Sequence, residues 1–355
     1  MTIEAGRDES EVSAEWLDEI LRGAGALATE RVSAVRSTQI GMEIGFLSRT
    51  LRVELEYDGQ CDGVPRSVIV KQEPAPGPYL TAERNLSAFE REIRFYREIA
   101  PRVGLRLPRV YHADAGASGA VLVMEDLSGL RSVDQVRGLQ QSEVMQTVRE
   151  VAKLHATFWG VTDHPSVAWI PAYEHFWEED LAEHWPAFAD EYGLRIGPEG
   201  RLLGERVVAD FDRLSQAIRA RPATVIHGDL RADNLLFGSN GAYLLDWQLA
   251  TRSLATIDVA RLLGGSEPTV ERRGRQLEIV AGWHEALRDA GVKNYDLEEA
   301  IADYRRAVLY CLLIPIRSFS FVGADSGRRT ARLVDAQAER FFASAVEMNA
   351  GAALG

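Results

Sequence analysis

Cysteine is nearly missing from this chain: Cys61 and Cys311 are the two in 355 residues. They stand far apart and match no metal-ligand spacing. That excludes a zinc framework or a disulfide-stapled domain and points to plain thiols in a reducing compartment. A long apolar run is missing too. The most apolar stretch, Ala307 through Ile316, is too short to span a bilayer. The stretch from Met1 to Ser10 has neither the basic start nor the apolar core of a signal peptide. Positive charge is in deficit, 40 Lys and Arg against 53 Asp and Glu, for a net charge of −13. Such a surface repels nucleic acid and anionic membrane, so neither is expected as a partner. A soluble cytoplasmic protein is the expectation. Internal repeats and low-complexity tracts are also lacking. With 46% hydrophobic and 26% charged residues, the composition is ordinary for a packed globular chain.

What is present begins as a small α+β region. Ser13 is placed to cap a short helix over Ala14–Arg22 that Gly23 and Gly25 would end. Leu51, Val53 and Leu55 alternate with Arg52, Glu54 and Glu56 at strand period. Ser67 to Lys71 and Ala120 to Met124 read as further strands, and Pro74, Pro76 and Pro78 mark a loop. Leu86, Phe89, Ile93 and Tyr96 fall on one face of a helix. Beyond Glu125 the pattern turns helical, starting with a helix capped by Ser142 that carries Val144, Val148, Val151, Leu154 and His155. A short β-like stretch interrupts it near Thr224–Trp247. The expected fold class is therefore α+β, with a small β-rich N-lobe over 1–125 and a larger, mostly helical C-lobe over 126–355. A cleft between two such lobes is a natural place for a ligand.

The sharpest segment runs Val225-Ile226-His227-Gly228-Asp229-Leu230-Arg231-Ala232-Asp233-Asn234-Leu235-Leu236, followed by Leu244-Leu245-Asp246-Trp247-Gln248. Apolar pairs anchor short strands around a polar loop. Asp229, a carboxamide at Asn234 and a second carboxylate at Asp246 suit phosphoryl transfer. One carboxylate accepts or orients the proton of a substrate hydroxyl; the amide oxygen and the other carboxylate offer the oxygen ligands that magnesium demands.

This segment resembles the catalytic loop and metal-binding motif of the aminoglycoside phosphotransferase and choline kinase superfamily, which has the protein-kinase-like fold. The His-Gly-Asp-Leu-x-x-x-Asn pattern stands at His227 to Asn234. Asp246-Trp247-Gln248, with Met124-Glu125-Asp126-Leu127 upstream, is most similar to the ecdysteroid-kinase-like branch. The likeness runs from about Ile40 to Ala343. It implies a bilobal kinase that uses ATP and Mg2+ to phosphorylate a hydroxyl of a small molecule, with Asp229 catalytic and Asn234 and Asp246 on the metal. A protein kinase fits less well: Gly228 stands where those enzymes carry Arg, the stretch from Asp246 to Asp258 is short for an activation segment, and no Ala-Pro-Glu follows. A nucleotide-binding pseudokinase or regulatory module without turnover is the alternative.

The resemblance also assigns the N-lobe. Lys71, at a strand end, matches the phosphate-holding lysine, and Glu92 its ion-pair partner, with Glu90 as competitor on the same helix. The plain alternative is a surface lysine and a solvated helix face. Gly41 and Gly45 are candidates for a loop over the phosphates, or for an ordinary hairpin turn. Glu125, Asp126 and Leu127 match the hinge whose backbone meets adenine. Asp258 and His227 are expected to brace the catalytic loop, His155 to be a core histidine and Asp233 an exposed loop charge. For the acceptor, candidates lie in Tyr173–Trp185 and in Leu313–Arg317 with Phe319–Phe321, although for any single residue of the former an amphipathic helix with Phe176, Leu181 and Trp185 inward is the preferred reading.

Overall fold

The structure, a computed structural model, describes residues 12–41, 49–59, 62–72, 82–116, 119–160, 164–172, 180–321 and 327–354. The chain divides into two compact units. The first comprises Met1–Pro101 and Leu107–Leu130, the second Arg102–Arg106 and Arg131–Gly355. The sequence reading placed the boundary after Glu125. The short stretch Arg102–Arg106 belongs to the second unit because Arg106 is held there: its N–H donates to Glu150 Oε1 at 2.7 Å, its guanidinium pairs with the same carboxylate, and its carbonyl accepts from Leu244 N at 3.1 Å.

The first unit is built from α1 (Ala14–Gly23), β1 (Val32–Ile40), β2 (Arg49–Tyr57), β3 (Ser67–Gln72), α2 (Ala82–Arg94), β4 (Val110–Gly116) and β5 (Gly119–Glu125). Its sheet is antiparallel throughout, in the order β1-β2-β3-β5-β4. Ser13 caps α1, its Oγ accepting from Trp16 N at 3.2 Å. Strand alternation sends Leu51, Val53, Leu55, Val68, Val70, Val121 and Val123 into one core with Leu17, Ile20 and Leu21 of α1. The same alternation turns Lys71 to the other face of β3. There α2 buries Phe89, Glu92 and Ile93. After Arg94 the helix continues as a π turn over Phe95–Ile99.

The second unit contains β6 (Arg131–Ser132), α3 (Gln141–Thr157), α4 (Leu181–Ala209), α5 (Phe211–Arg219), β7 (Ala223–Ile226), β8 (Leu235–Gly238), β9 (Gly241–Leu244), β10 (Thr251–Leu254), α6 (Thr256–Ser266), α7 (Thr269–Arg272), α8 (Gln276–Asp289), α9 (Leu297–Tyr310), α10 (Leu313–Ser320) and α11 (Arg328–Glu347). Two small antiparallel sheets, β6-β8-β9 and β7-β10, sit among the helices. The start of α3 corrects the sequence reading: Glu143 Oε2, accepting from Gln140 N at 2.7 Å, closes it, and Ser142 lies inside the helix. Helix α4 is broken at Gly197, whose φ of 72° and ψ of 173° leave the helical region before Pro198. Every residue of α6 is buried, so it passes through the centre of the unit. Gly264 lets α11 come that close, since a Cβ there would lie 2.3 Å from the Phe341 ring. No described helix is long and apolar enough to cross a membrane.

One buried group just beyond α6 is badly provided for. Glu267 is fully buried, neither carboxylate oxygen has a hydrogen-bond partner, and its nearest cation, Arg275, is 3.8 Å away. Burial pushes its carboxyl up to about 7 from 4.5, with Arg275 and Arg272 opposing. The folded state thus holds a proton that the unfolded chain has already released, so stability should fall as pH rises from about 4.5 through 7. Glu267→Gln should remove that fall and gain on the order of 3 kcal/mol at pH 8, read from urea unfolding at about pH 4.5 and at about pH 8.

Candidate active site

The loop carrying Asp229 is suspended between strands whose apolar residues hold them in place. Val225 and Ile226 are fully buried in β7, and Leu235 and Leu244 face each other across β8 and β9. Leu245 N donates to Asn234 O at 2.9 Å, which ties the approach to Asp246 to the end of the loop.

Beneath the loop lies Asp258 of α6, fully buried. One oxygen accepts from His227 N at 2.7 Å and from His155 Nε2 at 3.1 Å; the other accepts from Gly228 N at 2.9 Å. Burial works against its ionisation, but the His155 and His227 contacts outweigh it and hold the carboxyl below the usual range. Behind it, Trp283 Nε1 donates to His155 Nδ1 at 3.1 Å. His227 spends both ring nitrogens as well: Nδ1 accepts from Asp229 N at 3.2 Å and Nε2 donates to Leu245 O at 2.9 Å. The arrangement assigns the proton to Nε2 and leaves His227 no nitrogen for proton transfer. Gly228 has a φ of 77°, and a Cβ on it would lie 2.1 Å from Leu249 O. Only glycine fits between this brace and that carbonyl.

The Asp229 carboxylate has a partner on each oxygen. Arg261 of α6 donates to Oδ1, from Nε at 2.9 Å and from Nη2. Arg231 Nε donates to Oδ2 at 3.1 Å, as does Asn234 Nδ2 at 3.1 Å. Burial raises the carboxyl, but the two guanidinium groups win and bring it down to about 2. So weak a base is always charged near neutral pH; it fits orienting a donor better than holding its proton. Arg231 in turn bonds Gln135 Oε1 and Asp233 Oδ2, both at 3.0 Å. Asp233 also accepts from Arg329 and from Gln135 N. Its side chain is 4% exposed, so the expectation of an exposed loop charge is corrected: three donors draw it inward. Sequence reasoning missed Arg261 and Arg231 as partners of Asp229. Arg231 lies two positions away, a visible signal; Arg261 arrives from α6, and no local pattern announces it.

Asp246 sits at a φ of 66°, in the left-handed region that aspartate and asparagine enter more readily than other side chains. Its Oδ1 is shut off from solvent without a hydrogen-bond partner. With Asn234 Nδ2 committed to Asp229, the amide presents its oxygen elsewhere. Among the described residues no group of three or more His, Cys, Asp or Glu side chains is placed to hold a metal. A carboxylate oxygen lacking a partner and an amide oxygen are a donor pair of the kind magnesium takes when substrate phosphates and water complete its shell.

In the first unit Lys71 Nζ lies 2.7 and 3.0 Å from the two oxygens of Glu92, which is fully buried; Glu92, rather than Glu90, meets it. Asp126 accepts from Ser67 Oγ at 2.6 Å, Arg52 Nε at 2.7 Å and Ser128 N at 2.8 Å. Burial raises its carboxyl, and these contacts lower it further than burial lifts it. Glu125 N bonds Arg109 O at 2.8 Å, and Leu127 O accepts from Leu130 N at 2.9 Å. Gly41 follows β1 with a φ of 75°; Gly45 lies outside the described residues. Tyr173–Glu179 also lie outside them. Leu181 and Trp185 are buried, and Trp185 stacks on Phe342 at 6.2 Å, as packing residues do.

The chain matches the sequence model of the phosphotransferase enzyme family (APH) over residues 45–307. Two curated Caenorhabditis elegans relatives match at low identity. "Uncharacterized oxidoreductase dhs-27" is 23% identical over 83% of this chain and 40% of its own length. "Uncharacterized kinase-like protein D1044.1" is 25% identical over 51% of each. This chain therefore spans about half the length of the curated relatives, or less. Among solved structures, spectinomycin phosphotransferase APH(9)-Ia in complex with ADP and spectinomycin superposes with a TM-score of 0.51 at 13% identity, covering 96% of this chain and 100% of that one. That likeness is one of fold.

Two substitutions test the brace and the carboxylate. Gly228→Ala should cost about 2–4 kcal/mol in urea unfolding, through strained φ and the Leu249 carbonyl; a loss below ~1 kcal/mol would mean the loop moves aside freely. Arg261→Met leaves a buried carboxylate one cation short. It should cost on the order of 3 kcal/mol at pH 7. The deficit should shrink toward pH 4, because a less well-paired Asp229 takes up a proton that the native carboxylate, at about 2, refuses.

Proposed function

The chain belongs to the phosphotransferase enzyme family, and from that premise we propose that it transfers the γ-phosphoryl group of ATP to a hydroxyl of a small molecule, giving an O-phosphorylated product and ADP. The observation that carries this reading is the loop itself: Asp229 and Asn234 hydrogen-bonded side by side, with Asp246 joined to them through the Leu245–Asn234 backbone bond.

In this reading Asp229 orients the acceptor hydroxyl for in-line attack, and its two arginine partners fix the carboxylate in one direction. Asn234 and Asp246 are the residues that would hold magnesium, which supplies charge neutralisation at the phosphates when bound. Support for that assignment is the unpartnered Oδ1 of Asp246. Lys71, held by Glu92, engages the phosphates, where an ammonium acts as a compact point charge. By the family resemblance, Gly41 and Gly45 are the residues that would cover the phosphates, and the backbone of Glu125 to Leu127 the segment that would meet the base. The bound ADP in the spectinomycin enzyme's structure is consistent with an adenine nucleotide here.

The test is a mass-spectrometric search for a phosphorylated product, with Mg·ATP and a panel of hydroxyl compounds and cell extract. The native protein should add one phosphoryl group to some species. Asp229→Ala should keep nucleotide binding and lose turnover by orders of magnitude. Asp246→Ala should weaken magnesium-dependent nucleotide binding itself. Binding without any product by the native protein would favour a pseudokinase, and a folded protein that ignores Mg·ATP would overturn the reading.

A further inference from the structure

Arg317, on α10, is a buried cation whose charge meets no anion among the described residues. The residue is 9% exposed. Its Nη1 donates to His184 Nε2 and, at 3.4 Å, to Ser320 Oγ. The Phe321 ring lies 5.2 Å from its Cζ. Its Nε is closed off from solvent and has no partner. Among the described residues, no carboxylate lies within ion-pair distance of it.

Other buried arginines of this unit are provided for differently. Arg261 is paired with Asp229. Arg340 has no carboxylate either, but it spends its guanidinium on the carbonyls of Gln135 and Val136. Arg272 reaches the carbonyls of Leu263, Glu267 and Arg340. Arg317 has an imidazole nitrogen, a hydroxyl and a ring face in their place, none of them charged or a carbonyl. A buried guanidinium so placed is costly unless an anion completes it. The C-terminal end of the short helix α10 offers partial negative charge only.

We propose that Arg317 and His184 form an oxyanion-binding site, which takes the carboxylate or phosphoryl group of a small molecule. The guanidinium fork is shaped for either group, and no carboxylate among the described residues already occupies it. His184 accepts through Nε2 and so fixes how the guanidinium is turned. The two residues come from α4 and α10, which pack together through Phe188, Tyr192 and Phe319, so both are held by the core. Both residues fall in stretches named above as acceptor candidates, but the anion site stands on its own geometry and does not rest on the phosphotransfer reading.

Thermal unfolding tests it, with sodium phosphate, sodium acetate and sodium chloride at matched ionic strength. In the native protein an oxyanion should raise the midpoint saturably above the chloride control. The better of phosphate and acetate tells a phosphoryl group from a carboxylate. Asp229→Ala should respond as the native protein does, which keeps the outcome separate from catalysis. Arg317→Met should lose the oxyanion-specific rise. Arg317→Lys, which keeps the charge without the fork, should need on the order of tenfold more oxyanion. No oxyanion-specific rise in the native protein, or the same rise in Arg317→Met, overturns the site. If Arg317→Met does not fold, native affinity in Arg317→Lys overturns it.

Discussion

A carboxylate cut off from water must find its hydrogen bonds inside the protein, and Asp258 finds three: two backbone N–H groups of the loop and the ring of His155. The loop conformation depends on this. His227 N and Gly228 N point at one side chain only because Gly228 adopts a positive φ and carries no Cβ to strike Leu249 O. His155 is aimed by Trp283, so the support reaches from α8 through α3 to α6 and then to the loop. A chain of satisfied buried polar groups is stiff because breaking any link leaves the next without a partner. Asp229 follows directly in sequence, and its direction is inherited from that stiffness.

Above the brace, charges alternate. Asp229 meets Arg261 and Arg231, Arg231 meets Asp233, and Asp233 meets Arg329, which also meets Asp134. Gln135 stitches this row to α6 and α11 through Gly265 O and Arg340. The row is close to neutral, yet its effect on Asp229 is not. Two cations sit against that one carboxylate and hold it at about 2. An oxygen in that state is a fixed negative point with one direction.

Much of this was legible in one dimension. The alternation at Leu51, Val53 and Leu55 and the capping serine at Ser13 follow rules that act over a few residues, and both elements formed as such. The pairing of Asp229 with Asn234 was legible because both lie in the short loop between β7 and β8, and Asp246 follows the end of β9, where Leu245 N bonds Asn234 O. Glu92 was separable from Glu90 by helical phase, since it borders the buried stripe of Phe89 and Ile93. Asp233 was misjudged because its burial is set by Arg329 and Gln135, each about a hundred positions away.

The sequence by itself determined the secondary elements, the polar loop and the residue types available for phosphoryl transfer, because periodicity, capping and short motif spacing are local physics. The tertiary structure alone decided how ionised Asp229 is, where Asp233 points and that Arg317 meets no anion among the described residues. Those properties depend on burial and on which charges long-range packing brings within a few ångströms, and no local pattern encodes either.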